Sequence, residues 1–342
     1  MFLKYKRKGD HLKVLNFLQN RVKLVSEPTP FRNLNNLSRE NESSIYIKED
    51  DVTGICLGGN KVRKLEYLIY DAIQKGADTV ITTGGIQSNH ARLTTAVARK
   101  YGLKSELVLK YGEERSQFRQ NGNLLLNNLM DANIHLVTDE FEIQNKIQEL
   151  ETSLKKYGNI PYKIPLGGSN EIGTLGYIRA GKELGEQLEY KDIKNTAVIL
   201  PVGSGGTMAG LLIAKWIWNL NFKVIGISVT RNSTVMSETV EAIINETLDF
   251  LDIKEDFREQ NLPKPTIYDD YIGPGYGKTD QQTIESIKLI AKTEGVILDP
   301  VYTGKAMTGL LDLTENKIVS NDSIIFLHTG GVPAIFAYQD QL

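Results

Sequence analysis

Residues 76–104 read GADTVITTGGIQSNHARLTTAVARKYGLK. A strand-like run of β-branched residues at 79–82, Thr-Val-Ile-Thr, leads to two glycines, and apolar positions then recur at helical spacing from about 89 to 101. A second strand-like run, Glu-Leu-Val-Leu, follows at 106–109. Strand, helix and strand in this order predict a parallel sheet covered by helices.

The same alternation extends to both sides of this stretch. Upstream, apolar positions from Val62 follow a helical period, and Asn60 stands where an N-cap is expected. The sequence therefore predicts an α/β protein. The further expected elements are helices near 122–132, 140–156, 211–218, 235–250, 281–293 and 304–313, strands near 134–137, 162–164, 197–200, 224–229 and 324–327, and an irregular stretch at 254–277.

Composition narrows the class of protein. The length of 342 residues predicts about two domains, and a net charge of −2 removes the usual electrostatic argument for nucleic acid binding. One cysteine and four histidines without a metal-binding pattern make a zinc site unexpected. No apolar run is long enough to span a membrane, and the first residues resemble neither a signal nor a transit peptide. We expect a cytoplasmic protein.

A glycine-rich turn, Gly203-Ser204-Gly205-Gly206-Thr207, connects an apolar strand to an apolar helix. Glycines allow close approach to an anion, and a helix N-terminus offers free N–H groups. Met208 occupies the position of the third glycine of the dinucleotide motif, and Ile272 excludes a Walker A loop before Lys278. The turn predicts a phosphate cup for a cofactor of mononucleotide size. The alternative is that the strand-to-helix turn needs small residues only for its own geometry.

Lys61 follows Gly58-Gly59-Asn60 and begins a helix. The helix dipole and the nearby Arg63 and Lys64 should lower its pKa, and a neutral amine can attack a carbonyl to form a Schiff base. The alternative is a solvated surface cluster of the three cations.

Polar residues open the helix after the strand-like run at 79–82. Ser88 and Asn89 present a hydroxyl, an amide and free N–H groups that suit a substrate carboxylate, or they serve only as helix caps. His90, on the same turn, acts as an acid or base or is a structural hydrogen-bonding residue. Tyr276 and Tyr302, next to glycines, contact an aromatic ring or pack in the core.

Together these segments resemble the pyridoxal-phosphate enzymes of fold type II, and within them the group of D-cysteine desulfhydrase and 1-aminocyclopropane-1-carboxylate deaminase. The resemblance extends from about Pro28 to the C-terminus. It is carried by PTPF (28–31), GGNKVRKLEYL (58–68), residues 76–104, NGN (121–123), IPLGGSNEIGTLGYI (164–178), VGSGGTMAGL (202–211), DDYIGPGYG (269–277), EGVILDPVYTGKAM (294–307) and HTGGVPAIFAY (328–338).

The resemblance implies a fold of two open parallel-sheet domains with helices on both faces, and pyridoxal 5′-phosphate as cofactor. It implies a larger cofactor-binding domain of residues 26–65 plus 175–342, a smaller domain of 66–174, and a segment of unknown role at 1–25. A homodimer acting on a small amino acid, with no nucleic acid or membrane partner, is also implied.

Each site residue receives a role from the resemblance. Lys61 holds the cofactor covalently and moves the substrate α-proton. The other implied roles are catalysis for Ser88, Tyr276 and Tyr302, substrate binding for Ser88, Asn89 and His90, and cofactor binding for Lys64, Asn89, Gly203, Ser204, Gly205, Gly206, Thr207, Thr303 and Thr329.

Thr303 and Thr329 match the desulfhydrase members, whereas deaminase members have glutamate and leucine at these positions. A threonine near the ring nitrogen supports a weaker electron sink than a carboxylate, which suffices when thiolate departs. The sequence thus predicts a lyase that converts D-cysteine to pyruvate, ammonia and hydrogen sulfide. The alternatives are the deaminase, an L-cysteate sulfo-lyase, a non-catalytic protein that binds the cofactor and, more distantly, a nucleotide-binding transferase.

Overall fold

Strands and helices alternate along the whole described chain. The computed structural model describes residues 13–39, 41–111, 120–253 and 262–342. Its strands are β1 (Phe31–Asn33), β2 (Ser44–Glu49), β3 (Thr79–Gly85), β4 (Lys104–Lys110), β5 (Asn133–Val137), β6 (Pro161–Lys163), β7 (Thr196–Val202), β8 (Phe222–Ser228), β9 (Thr266–Tyr268) and β10 (Ser323–His328). Its α-helices are α1 (Asn35–Arg39), α2 (Lys61–Gln74), α3 (Asn89–Lys100), α4 (Gly122–Leu129), α5 (Glu140–Lys156), α6 (Glu171–Tyr190), α7 (Gly206–Trp218), α8 (Ser233–Phe250), α9 (Gln281–Glu294) and α10 (Thr303–Glu315).

The strands form two sheets. Six strands lie in the order β1-β2-β10-β7-β8-β9, and four lie in the order β5-β4-β3-β6. All neighbours run parallel except β1, which pairs antiparallel with β2 at the edge of the larger sheet. The α/β fold with parallel sheets is confirmed, with β1 as an antiparallel addition.

Both faces of the larger sheet are covered by helices. On β7, Val198 and Leu200 pack into a core with α6, α7 and α8, whereas Ala197 and Ile199 pack on the opposite face with α9 and α10. Because successive side chains of a strand point to opposite faces, burial on both sides requires the continuous apolar run seen in the sequence.

The smaller sheet is covered in the same way. Leu107 and Leu109 of β4 pack with Leu124 of α4, while Val108 packs with Ile143 of α5 on the other face. Helix α2 packs its apolar side against β3 through Val80. The strands of the two sheets fall within the two domains expected above, and that division stays a prediction.

Four elements were not predicted from the sequence: β1, α1, β2 and the long helix α6. Part of the stretch expected to be irregular also forms β9, while residues 254–261 lie outside the described residues. Asn60 occupies the N-cap position of α2, as predicted, although its side chain makes no capping hydrogen bond.

The N-terminal segment is joined to the core where the structure describes it. Val14 and Leu18 are fully buried in the larger hydrophobic core. Arg21 forms ion pairs with Glu66 of α2 and with Glu27. Residues 1–12 lie outside the described chain, so the role of segment 1–25 stays open.

Candidate active site

A cavity of about 610 Å³ lies at the carboxyl ends of β3, β7, β8 and β10, and both sheets contribute to its lining. This edge is the usual place for a ligand in open α/β sheets. Eleven of the fourteen residues predicted from the sequence line it, namely Lys61, Ser88, Asn89, His90, Gly203, Ser204, Gly205, Thr207, Tyr276, Tyr302 and Thr329. The fold therefore brings together residues that are up to 268 positions apart in the chain (61 to 329).

Lys61 is the first residue of α2, and its side chain lines the cavity. Its amine donates to Asn60 Oδ1 at 3.1 Å, and Asn60 Nδ2 donates to the Thr207 hydroxyl at 3.1 Å. Burial lowers the pKa of Lys61 to about 8. With this pKa about a tenth of the amine is unprotonated at pH 7, far more than for an ordinary lysine, and the unprotonated amine is the form that attacks a carbonyl.

The alternative of a solvated cluster at residues 61–64 is wrong for two of its three cations. Arg63 and Lys64 are fully buried. The three side chains instead point in different directions: Lys61 lines the cavity, Arg63 joins a buried ionic network, and Lys64 points toward the glycine-rich turn.

The glycine-rich turn is backed by Lys64 and Ser169. The Lys64 amine donates to the Ser169 hydroxyl at 2.8 Å and to the Gly167 carbonyl at 3.1 Å, and the hydroxyls of Ser169 and Ser204 are 2.7 Å apart. Burial, and then the charge of Lys61, hold the pKa of Lys64 well below its ordinary value. A bound anion would reverse this shift, because a negative charge favours the protonated amine.

Glycine is required in this turn by close packing. A Cβ atom on Gly206 would lie 2.7 Å from the Ser169 hydroxyl and 2.8 Å from the Lys64 amine. Gly205 has φ of 85°, which side chains rarely adopt, and it stands at the N-cap of α7. The result is a small cradle at a helix N-terminus with hydroxyls and a buried lysine, which fits a phosphate group.

Ser88 caps α3 and also lines the cavity. Its hydroxyl oxygen accepts from the Ala91 backbone N–H at 3.2 Å, which leaves the hydroxyl hydrogen available for a ligand. His90, behind it, is 2.8 Å from the Thr82 hydroxyl. Burial, and then the charges of Lys61 and Lys64, hold the pKa of His90 well below its ordinary value, so this imidazole is neutral.

Tyr276 and Tyr302 form a hydroxyl pair in the cavity. Their oxygens are 2.6 Å apart, and the rings meet edge to face with centroids 5.9 Å apart. Burial raises the pKa of Tyr276, although the hydrogen bond from Tyr302 partly opposes this, and burial raises the pKa of Tyr302 well above its ordinary value. Both hydroxyls therefore keep their protons at neutral pH and can donate them.

The two threonines that were expected to contact the cofactor differ in position. Thr329 lines the cavity, and its carbonyl accepts from the Asn60 N–H at 3.0 Å. Thr303 does not line the cavity, because its buried hydroxyl donates to Asp299 Oδ1 at 2.7 Å and accepts from the Asp299 N–H at 2.8 Å. The structure does not place Thr303 where it could bind a ligand in the cavity.

Two supporting residues were not predicted from the sequence. Ser169 joins Lys64 to the glycine-rich turn, and Asn123 donates to Asn89 Oδ1 at 3.1 Å. Both lie within segments that carry the resemblance, LGGSN and NGN, and their position next to a glycine was the available signal.

Other kinds of site have no support in the described chain. Among residues 13–39, 41–111, 120–253 and 262–342, no group of three or more His, Cys, Asp or Glu side chains could hold a metal ion. In that same part of the chain, every helix is too short or too polar to cross a membrane.

The cavity combines a lysine amine of lowered pKa, a phosphate-sized cradle and a pair of protonated tyrosines, and this combination defines an enzyme that binds a phosphorylated carbonyl cofactor. The sequence profile described as "Pyridoxal-phosphate dependent enzyme" matches residues 22–330. The chain belongs to this family, and its cofactor is pyridoxal 5′-phosphate.

Relatives support the same assignment. The chain is 42% identical over 324 residues to a Pyrococcus horikoshii protein provisionally named 1-aminocyclopropane-1-carboxylate deaminase, covering 94% of this chain and 95% of the relative. It is 39% identical over 325 residues to the D-cysteine desulfhydrase of Serratia proteamaculans, covering 94% and 97%. The crystal structure of an ACC deaminase homologue aligns with a TM-score of 0.87 at 40% identity, covering 96% of this chain and 98% of that one.

Proposed function

We propose that this enzyme is a lyase that eliminates the β-substituent of a small D-amino acid, with D-cysteine as substrate. The overall reaction consumes D-cysteine and water and releases pyruvate, ammonia and hydrogen sulfide. The observation that carries the proposal is that the Lys61 amine and the Tyr276–Tyr302 hydroxyl pair line one cavity with the phosphate-sized cradle.

When bound, pyridoxal phosphate supplies an aldehyde for amines and a ring that withdraws electrons from the substrate α-carbon. The protein residues divide the remaining tasks. The phosphate would be held by Lys64, Ser204 and the N-terminus of α7, and the Lys61 amine would bind the aldehyde covalently. As an amine with a pKa lowered to about 8, Lys61 would also serve as the base for the substrate α-proton.

Ser88 and the free N–H groups at the start of α3 bind the substrate carboxylate. The tyrosine pair donates a proton to the departing sulfur, because both hydroxyls remain protonated at neutral pH. Neutral His90 supports the start of α3 from behind and, lining the cavity, contacts substrate without adding charge.

A substrate panel tests this proposal. Purified holoenzyme is given D-cysteine, L-cysteine, D-β-chloroalanine, L-cysteate and 1-aminocyclopropane-1-carboxylate, and oxo-acid, sulfide and sulfite are measured. The proposal requires pyruvate and sulfide in equal amounts from D-cysteine. Release of 2-oxobutanoate from the cyclopropane substrate at a higher kcat/KM would favour the deaminase, whose name one relative carries.

We also propose that the chain acts as a homodimer. Leu125, Leu129 and Phe336 are exposed apolar side chains around α4, and the turn carrying exposed Leu57 reaches the end of this helix through the Cys56–Met130 contact. The molar mass measured by light scattering after size-exclusion chromatography tests this. Leu129→Glu should give monomers, whereas Tyr190→Glu, at an exposed site elsewhere, should leave the dimer intact.

A cytoplasmic location completes the proposal. It is supported by the single cysteine, since a reducing compartment favours proteins without disulfides. Fractionation of cells with an antibody against the native protein would place it in the cytoplasmic fraction or contradict this.

A further inference from the structure

Asn89 is the first residue of α3, and it lines the cavity with a half-buried side chain. Its Oδ1 accepts from Asn123 Nδ2 at 3.1 Å. Its Nδ2 has no hydrogen-bond partner among the described residues. An amide can turn either its oxygen or its nitrogen toward a ligand, and the two ends recognise opposite partners.

Backbone groups decide which end of Asn89 faces the cavity. Asn123 Nδ2 donates to the Gln87 carbonyl at 2.8 Å, and the Asn123 backbone N–H donates to Gln87 Oε1 at 2.8 Å. A backbone carbonyl can only accept and an N–H can only donate, so both side-chain amides have a fixed orientation. The second N–H of Asn123 is left for Asn89, which must present its oxygen to it.

Asn123 itself is held in place by burial. It is fully buried on α4, outside the cavity, and Gln87 Nε2 extends the network to the Asn121 carbonyl at 3.2 Å. The Asn123 amide is itself closed to water, so losing its hydrogen bonds to Gln87 and Asn89 would leave a buried donor unpaired, which is costly.

We propose that Asn123 is a positioning residue that holds the Asn89 amide with its N–H₂ group toward the cavity. This rests on the proposed function, because the acceptor is an oxygen of the pyridoxal ring. A donor directed at that oxygen stabilises its ionised form. An inverted amide would place oxygen against oxygen and weaken binding.

Cofactor affinity of the apoenzyme gives the test, and it does not depend on turnover. Asn123→Ala should raise the Kd for pyridoxal phosphate about 3- to 10-fold. It should also raise the pH at which the visible band of the bound cofactor titrates. In an Asn89→Ala background the same substitution should have no further effect on Kd, because the amide that it orients is gone.

The matched control is Asn127→Ala, one turn further along α4. Asn127 is also fully buried, and its amide has no partner among the described residues. This control should leave Kd and the titration unchanged. Should Asn123→Ala not fold, Asn123→Ser replaces it, since one hydroxyl can satisfy the Gln87 carbonyl but not Asn89 as well.

Two results would overturn the inference: an unchanged Kd and titration in Asn123→Ala, or an equal loss of affinity in the Asn89→Ala background, which would show a general structural role. Failure of the proposed function gives a different result: D-cysteine would yield no pyruvate and sulfide in the substrate panel, while the change in cofactor Kd in Asn123→Ala would remain.

Discussion

Arg63 donates two hydrogen bonds, each 2.9 Å long, to the two carboxylate oxygens of Asp50. The same guanidinium donates to both oxygens of Glu183 on α6, at 2.9 and 3.0 Å. Because Arg63 lies in the first turn of α2, two residues after Lys61, this buried network ties the start of that helix to α6 and to Asp50, the residue that follows β2.

Glu183→Gln should destabilise the protein strongly, because the buried cations Arg63 and Lys48 would then have one buried carboxylate, Asp50, where they now have two. We expect the free energy of unfolding to fall by about 3–5 kcal/mol. Glu186→Gln on the same helix is the control: its own side chain is exposed and its partner Lys182 is partly exposed, so the loss should be under about 1 kcal/mol. Urea denaturation measures both, and equal losses would contradict the account.

The network also predicts the direction of acid unfolding. Burial alone would raise the pKa of Asp50 and of Glu183, but Arg63 and Lys48 together hold both below the ordinary values of 3.8 and 4.5. Their contribution is fully present above about pH 4.5 and is lost as the pH falls through the folded-state values. Stability measured against pH should show this loss in the wild type, and a smaller one in Glu183→Gln.

Cofactor uptake should report the lowered pKa of Lys61. The amine loses its proton as the pH rises through about 8, so the rate of covalent loading of apoenzyme should rise with pH and level off above that value. Stopped-flow absorbance measures this rate. A rate that still rises steeply toward 10.5, the ordinary value for lysine, would show that the cavity does not perturb this amine.

The loss of kcat caused by removing a tyrosine hydroxyl should depend on the leaving group of the substrate. Tyr276→Phe and Tyr302→Phe should each lower kcat for D-cysteine about 10²-fold or more, since departing sulfur takes up a proton. Chloride needs none, so D-β-chloroalanine should lose much less. Steady-state kinetics on both substrates give the ratio, and equal losses would assign the tyrosines to packing or cofactor binding.

The substitutions Thr329→Val and Thr303→Val compare two threonines that were both predicted from the sequence to bind the cofactor. Removing the Thr329 hydroxyl should lower kcat for D-cysteine about 5- to 10-fold and change stability by less than about 1 kcal/mol. Removing the Thr303 hydroxyl breaks two hydrogen bonds to Asp299 and should cost about 1–3 kcal/mol of stability. Kinetics and denaturation on both variants check this, and the reverse pattern would contradict it.

Much of the fold could be predicted from local patterns. Strands such as β7 are buried on both faces and therefore read as continuous apolar runs. Helix α6 escaped prediction because glycines at 173, 176, 181 and 185 interrupt its pattern; all four lie close to neighbouring atoms that leave little room for a Cβ. The edge strand β1 has three residues, too few for a period to show.

The site was predictable to the extent that its residues lie next to glycines at strand ends. The sequence could not show in which direction each side chain points. Lys61, Arg63 and Lys64 form one run of cations, yet only long-range partners such as Asp50, Glu183 and Ser169 decide which of them enters the cavity. Thr303 is a different case, because its partner Asp299 lies only four positions earlier and was a local signal that the sequence prediction did not use.

We propose that Lys61 carries pyridoxal phosphate covalently in the resting enzyme. Reduction of the holoenzyme with borohydride fixes this bond, and mass spectrometry of the digested protein identifies the modified peptide. We expect a phosphopyridoxyl group on Lys61 alone, and neither this modification nor visible absorbance in Lys61→Ala. A label on Lys64 or another lysine, or a Lys61→Ala protein that stays yellow and active, would contradict it.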